Sequence, residues 1–147
     1  MPYWHACGGK WIGCCSDNKP VFWSNNVDGN TRSLGNVICA NDKGAIVSPA
    51  LSKENCKVIS DVMGVEVLQK KIAGTHLAGV TLRANNTGAA VHPEAEEKDV
   101  EIIADVLGVN VEQSSINGGV PYVSSGILAN NHCIVVGSLT NGPEIMN

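Results

Sequence analysis

Aromatic residues are scarce in this chain: one phenylalanine, two tyrosines and three tryptophans among 147 residues. Any core must therefore be assembled mainly from Val, Ile, Leu and Ala. Charge is thin as well, at 16% of residues, with a formal balance of −4. Broad binding to free nucleic acid draws on clustered Lys and Arg, and 10 basic residues in an acidic chain form no such stripe. A basic protein partner or a few local phosphate contacts remain compatible. No apolar run approaches the roughly 18–20 residues of a membrane span. Met1–Lys10 also lacks the apolar core of a signal peptide. These absences point to a soluble, cytoplasmic protein with no membrane partner. A hydrophobic content of 44% supports a packed core and argues against disorder.

Six cysteines are too few, and too unevenly placed, for a secreted disulfide scaffold. Cys7, Cys14 and Cys15 crowd the start, while Cys39, Cys56 and Cys133 are scattered. The first stretch differs in composition from everything after it: it holds Trp4, Trp11, Trp23, Phe22 and His5. His5, Cys7, Cys14 and Cys15 are side chains that tetrahedral zinc accepts. The paired CxxC spacing that would make such a site specific is missing, so no metal or other cofactor is expected. Residues 1–27 read instead as a divergent, irregular Trp- and Cys-rich leader covering an apolar edge.

The remainder is repetitive. Asn41-Asp42-Lys43-Gly44-Ala45-Ile46-Val47-Ser48-Pro49 returns 44 residues later as Asn85-Asn86-Thr87-Gly88-Ala89-Ala90-Val91-His92-Pro93. Asp61-Val62-Met63-Gly64-Val65-Glu66-Val67 returns at the same offset as Asp105-Val106-Leu107-Gly108-Val109-Asn110-Val111. Aligned without gaps, Ala40–Gly74 and Ala84–Gly118 share 15 of 35 positions, where unrelated segments share about two or three. A partial third copy starts at Ser125-Gly126-Ile127-Leu128-Ala129-Asn130-Asn131-His132-Cys133.

Each copy spells a short unit. Val37-Ile38-Cys39-Ala40 has strand length, and Asn41-Asp42-Lys43-Gly44 forms a turn whose Asn and Gly accept positive φ. Ala45-Ile46-Val47 returns as the second strand, stopped by Pro49, which cannot donate to a ladder. Ser52 is placed to cap a helix on which Cys56, Ile59 and Met63, joined by Val58 and Val62, form an apolar stripe. Gly64 ends that helix, and Val65–Leu68 is a third strand. Val100, Ile103, Leu107, Gly108 and Val109–Val111 repeat the pattern. Such units cannot bury their faces alone, so each helix packs on its own or a neighbour's sheet.

Leu34-Gly35-Asn36-Val37-Ile38-Cys39-Ala40-Asn41-Asp42-Lys43-Gly44 closely resembles a stretch of the translation initiation factor 6 family. So do Gly88–Glu94, Asp105–Val109, Ser115-Ile116-Asn117-Gly118-Gly119, Gly126–Asn130 and Thr140-Asn141-Gly142-Pro143-Glu144. The resemblance runs in order from about Asp28 to Asn147. It implies an α/β fold of the pentein type, a pseudosymmetric α/β propeller with five repeats. Here residues 28–147 would supply a partial arc, with repeats at about 34–77, 78–122 and 123–147. It further implies a non-enzymatic protein that binds the large ribosomal subunit, through a ribosomal protein near the sarcin–ricin loop. Such a protein blocks premature subunit joining and assists large-subunit biogenesis, in the cytoplasm and, in a eukaryote, also the nucleolus. The family's first two repeats have no counterpart ahead of Asp28. That leaves a truncated relative, a fragment or frame-shifted reading frame, or a half that assembles with another chain, and the open edges of a three-unit arc invite self-association.

The equivalent opening segments Leu34-Gly35-Asn36, Ala78-Gly79-Val80 and Ser125-Gly126-Ile127 are the candidate surface. The resemblance places Leu34, Gly35 and Asn36 on the ribosome-facing end, with Gly79 and Gly126 as their counterparts. Glycine admits close backbone approach, and an Asn amide both donates and accepts; Gly79 and Gly126 suit a tight strand entry equally well. His92 occupies the slot of Ser48 and reads as a capping or packing residue. Glu94, Glu96, Glu97 and Asp99 read as a solvated helix start, and Lys70-Lys71 as a basic pair within reach of phosphate.

Two other function classes compete. Pentein folds also host guanidine-modifying enzymes with a cysteine nucleophile, and His132 beside Cys133 fits the residue types. Adjacent strand positions, however, would turn the two side chains to opposite faces, and no substrate-binding acidic pattern accompanies them. The other class is an interaction module whose Trp- and Cys-rich head recruits metal or a partner.

Overall fold

The computed structural model describes residues 33–146, together with the backbone of three short strands ahead of them, β1 (His5–Cys7), β2 (Lys10–Gly13) and β3 (Val21–Phe22). These three pair as an antiparallel sheet in the order β1-β2-β3, where an irregular leader was expected. β3 lies beside the first long helix. Cys14 and Cys15 of the candidate zinc set, and most of residues 1–27, lie outside the described residues.

From Leu34 the chain builds one unit twice. The first comprises a helical turn α1 (Leu34–Val37), β4 (Ile38–Ala40), β5 (Gly44–Val47), α2 (Lys53–Met63) and β6 (Glu66–Gln69). The second comprises α3 (Ala78–Thr81), β7 (Leu82–Ala84), β8 (Gly88–Val91), α4 (Glu97–Leu107) and β9 (Asn110–Gln113). A 3-10 turn (Val123–Ser125), β10 (Ile127–Ala129), β11 (Ile134–Val136) and α5 (Gly142–Met146) follow in the same sequence. Register repeats as well. Ile38 faces Val47 as Leu82 faces Val91 and Ile127 faces Val136, each pair antiparallel. β5 and β6 then pair in parallel, as do β8 and β9. Antiparallel entry followed by a helical crossover into a parallel partner is what a short turn and a long connection respectively permit.

The helix ends behave as their sequences dictate. Ser52 Oγ accepts the Asn55 amide at 3.2 Å, and Gly64 and Gly108 stop α2 and α4 in the left-handed conformation at φ 67° and 59°. Two expectations are corrected. Val37 belongs to α1 rather than to the strand. Within the α2 stripe Ile59 is fully buried, but Val58 and Val62 are 38% and 49% exposed. Each sits one position before a residue of the buried face, about 100° around the helix from it.

The hairpin turns close by a different device from the one expected. No positive φ occurs in Asn41–Gly44 or its counterparts among the described residues. The Asn41 side chain does the work: its Oδ1 accepts the amides of Lys43 and Gly44, each at 3.0 Å. Asn85 receives Thr87 and Gly88 at 2.8 Å, and Asn130 receives His132 and Cys133 at 2.7 Å. The amide ends of these side chains then cross to the next unit. Asn41 Nδ2 donates to the carbonyl of Asn85 at 3.1 Å, and Asn85 Nδ2 to that of Asn130 at 3.1 Å. Asn41 also donates to Leu107 O at 2.8 Å. A second line runs beside the first, from the Asp42 amide to Asn86 Oδ1 and from the Asn86 amide to Asn131 Oδ1.

Apolar packing follows the same head-to-tail logic. α4 covers β5 and β6 of the preceding unit as well as its own β9. The larger core therefore mixes both units, joining Cys39, Ile46 and Ile72 to Leu82, Val91, Ile103, Leu107 and Val111. A smaller core of Val37, Val47, Leu51 and Ile59 sits under α2. Each fully buried Ile or Leu contributes about 1.5–3 kcal/mol through water removal alone.

Asn41, only 4% exposed, satisfies two carbonyls and two amides at once. Asn41→Ala orphans all four, and the denaturant midpoint should fall by the equivalent of about 2–4 kcal/mol. Asn41→Asp keeps the acceptor but loses both donors and sets a carboxylate against two carbonyls. Its deficit should shrink on acidification, as protonation restores one donor; a deficit independent of pH would contradict this account.

Candidate functional site

The three opening segments meet along one edge: α1 lies against α3, and α3 against the 3-10 turn. In α1, Val37 is buried and Leu34 packs against the smaller core. Those two anchors leave Gly35 and Asn36 exposed at the tip. The tip is held by a hydrogen bond from the Asn36 amide to Ser33 O at 3.0 Å.

Gly79, a candidate either for surface contact or for a tight strand entry, is buried beneath α1. A Cβ added there would overlap the carbonyl oxygen of Gly35 and fall 2.7 Å from that of Ile38. Its lack of a side chain is what lets the two segments stack. Gly126 is half-buried, and a Cβ there would run into the Ile116 side chain and reach 2.8 Å from Asn117 Nδ2. Of the five residues singled out, Gly35 and Asn36 thus form the exposed tip and Leu34 anchors it, while Gly79 and Gly126 lie in close-packed seams.

Sequence reasoning missed the apolar residues just ahead of these segments. Leu77 is 42% exposed, Val120 37% and Tyr122 49%. Their only signal was a position in loops leading into the opening turns. Tyr122 stands edge-on to His92, with ring centroids 5.9 Å apart and planes at 65°. His92 is buried, and its Nδ1 accepts the Glu94 amide at 3.1 Å, as Ser48 Oγ accepts that of Ala50 at 3.1 Å. The shared slot is a turn-closing acceptor.

Other candidates disperse. Lys70 Nζ is held by Asp99 at 2.9 Å, a bridge between the first unit and α4. That leaves Lys71 as the exposed member of the basic pair, and it takes Asp99 out of the expected solvated face. Cys133 and His132 are exposed and lie in the hairpin turn, not on a strand. Among the described residues no group of three or more His, Cys, Asp or Glu could hold a metal ion. No helix of the described residues is long and apolar enough to cross a membrane.

One carboxylate is strongly perturbed. Glu144 caps α5 reciprocally with Asn141: its Oε2 accepts the Asn141 amide at 2.9 Å, and Asn141 Oδ1 accepts the Glu144 amide at 3.2 Å. It also accepts from Ser115 Oγ at 2.7 Å and from the amides of Gly118 and Gly119 at 3.0 and 2.8 Å. The Asn141 amide foremost, with Ser115, Gly118 and Gly119, lowers its pKa from 4.5 to about 2. Hydrogen bonds to the charged form stabilise that form.

Two predictions follow from this geometry. Gly79→Ala should unfold or strongly destabilise the chain, by about 3 kcal/mol or more, because backbone rather than a flexible side chain blocks the new methyl; thermal melting decides it. A depressed folded-state pKa means that Glu144 stabilises fully above pH 4.5 and loses that contribution as pH falls toward 2. Melting temperature should therefore drop across that window in the parent chain, and by a smaller amount in Glu144→Gln.

Comparison with known proteins completes the picture. The eIF-6 family model matches residues 22–147. Translation initiation factor 6 of Nitrosopumilus maritimus is 76% identical over 120 residues, covering 82% of this chain and 54% of the relative. That of Cenarchaeum symbiosum is 58% identical over 120 residues, with the same coverage of each. That of Pyrococcus furiosus is 60% identical over 114 residues, covering 78% of this chain and 50% of its own. The chain thus spans about half the length of the curated relatives it matches. A match over most of the chain, carried by the same repeated units that build the seams described above, places it in the eIF-6 family.

Proposed function

We propose that this chain is a ribosome-binding member of the family, acting in the cytoplasm on the large ribosomal subunit. Bound there, it holds off premature joining of the small subunit and assists large-subunit biogenesis. The work is steric: a rigid body held on a surface that the other subunit must occupy needs affinity and shape, and no reacting group. In this reading, residues 28–147 are a partial arc of a five-fold pseudosymmetric α/β propeller. Its repeats are 34–77, 78–122 and 123–147, with residues 1–27 a divergent leader.

The observation that carries the reading is the α1 tip. Gly35 and Asn36 stand exposed on a backbone fixed from below by buried Val37 and Gly79. The chain belongs to a family whose matched relatives are named as translation initiation factors. An exposed polar residue on a rigid scaffold loses little entropy on contact, which favours recognition. The edge it shares with Leu77 and Tyr122 is apolar and aromatic, the composition that suits a protein partner such as a ribosomal protein near the sarcin–ricin loop.

Sedimentation with purified archaeal large subunits tests this. The chain should travel with the subunits, and added small subunits should associate less in its presence. Asn36→Ala should weaken binding about ten-fold, near 1.4 kcal/mol, whereas Lys57→Ala on exposed α2 should bind as the parent does. Recovery of folded chain only at the top of the gradient would overturn the proposal.

A further inference from the structure

The third strand of each complete unit runs into a tight loop. In the first unit this is Ile72-Ala73-Gly74-Thr75, closed by a bridge between Ile72 and Thr75. In the second it is Ile116-Asn117-Gly118-Gly119-Val120, closed between Ile116 and Val120. The backbones start alike: φ is 49° and 73° at Ala73 and Gly74, and 50° and 76° at Asn117 and Gly118. The following amide turns back in both. Thr75 N donates to Ile72 O at 3.0 Å, and Gly119 N to Ile116 O at 3.2 Å.

In the second unit these amides cradle an anion, as consecutive turn amides can. Gly118 N and Gly119 N donate to the Glu144 carboxylate at 3.0 and 2.8 Å, and Ser115 Oγ donates to it at 2.7 Å. Each donor has a counterpart 44 residues earlier, in Gly74, Thr75 and Lys71. The internal carboxylate is diverted, however. Asp99 is the counterpart of Glu144: each lies seven places beyond an equivalent amide, His92 N on Thr81 O and Gly137 N on Gly126 O. Asp99 is shorter by a methylene, and it is engaged with Lys70 at 2.9 Å. The Gly74 amide has no hydrogen-bond partner among the described residues. Gly74 and Lys71 are exposed, and a Cβ added to Gly74 would meet nothing within 4 Å.

We infer that the Lys71–Thr75 loop binds a single phosphate group, held by the Lys71 ammonium and the amides of Gly74 and Thr75. Phosphate fits better than a carboxylate because the neutral Ser115 hydroxyl is replaced by a formal cation, and because phosphate offers a separate oxygen to each of three donors. Lys70 neutralises Asp99, so the cradle keeps the charge of Lys71. One such contact is compatible with a chain of net charge −4, which has no broad basic surface. The site stands apart from the ribosome reading, since inorganic phosphate alone tests it.

An isotopically labelled chain is titrated with inorganic phosphate at constant ionic strength, and its amide resonances are followed. Gly74 and Thr75 should shift saturably, while Gly118 and Gly119, already filled by Glu144, should not. Lys71→Ala should weaken binding about five-fold or more, and Lys57→Ala should leave it unchanged. Asp99→Glu should weaken it at least as much as Lys71→Ala, because a side chain of Glu144's length carries its own carboxylate into the cradle. A short oligouridylate, run in parallel, identifies the source: tighter binding per phosphate assigns the site to a nucleic-acid backbone, weaker binding to free phosphate, and either result supports it. No saturable shift at Gly74 and Thr75 overturns the inference. So does unchanged affinity in Lys71→Ala or in Asp99→Glu, or a preference for acetate over phosphate.

Discussion

The line of asparagine amides through Asn41, Asn85 and Asn130 is the constraint on which the rest of the structure depends. An Asn side chain carries an acceptor at one end and two donors at the other, so one residue closes its own hairpin and reaches the next unit. The acceptor looks inward to amides two and three residues ahead, and the donor looks outward to a carbonyl. Because the two ends differ chemically, the line has a direction. Each unit sits in one orientation relative to its predecessor, and register errors leave buried polar groups unpaired.

Glycine and burial then decide how closely the units approach. Gly44 accepts the end of α4, and Gly79 accepts the backbone of α1; in both places it is a missing Cβ, rather than conformational freedom, that matters. The larger core therefore belongs to neither unit alone. Removing α4 would expose Cys39 and Ile46 as surely as it would expose Val111. Separate folding of one unit is unfavourable for the same reason that repeat proteins need neighbours.

The same seams give the candidate contact edge its rigidity. Asn36 is presented by a single helical turn, too short to hold itself in water. It persists because Val37 and Leu34 are anchored in the small core and Gly79 packs α3 beneath it. Tyr122 is steadied in a similar way by the buried ring of His92, itself tied down by the Glu94 amide. A surface fixed by packing suits the steric role proposed for it.

The hydrophobic alternation, the Ser52 cap, the Gly64 and Gly108 stops and the 44-residue self-similarity were written in local sequence. These are short-range effects, so the order of elements and the repetition of the unit could be read without coordinates. The exposure of Gly35 and Asn36 was legible too, through their likeness to a family's segment. What local sequence left open was every property set by a neighbouring unit. Gly79 and Gly126 look like Gly35 along the chain, yet only the tip faces outward, because burial depends on which unit lies across the seam. Asn41 looked like a residue chosen for positive φ, and only the adjoining carbonyls of Asn85 and Leu107 reveal that its amide was the reason. Lys70 and Asp99 look like solvated charges until α4 brings them to 2.9 Å. Sequence by itself determined the unit, through propensities that act within a few residues. Tertiary structure alone decided which of its surfaces are seams and which are free, because that depends on contacts between residues dozens of positions apart.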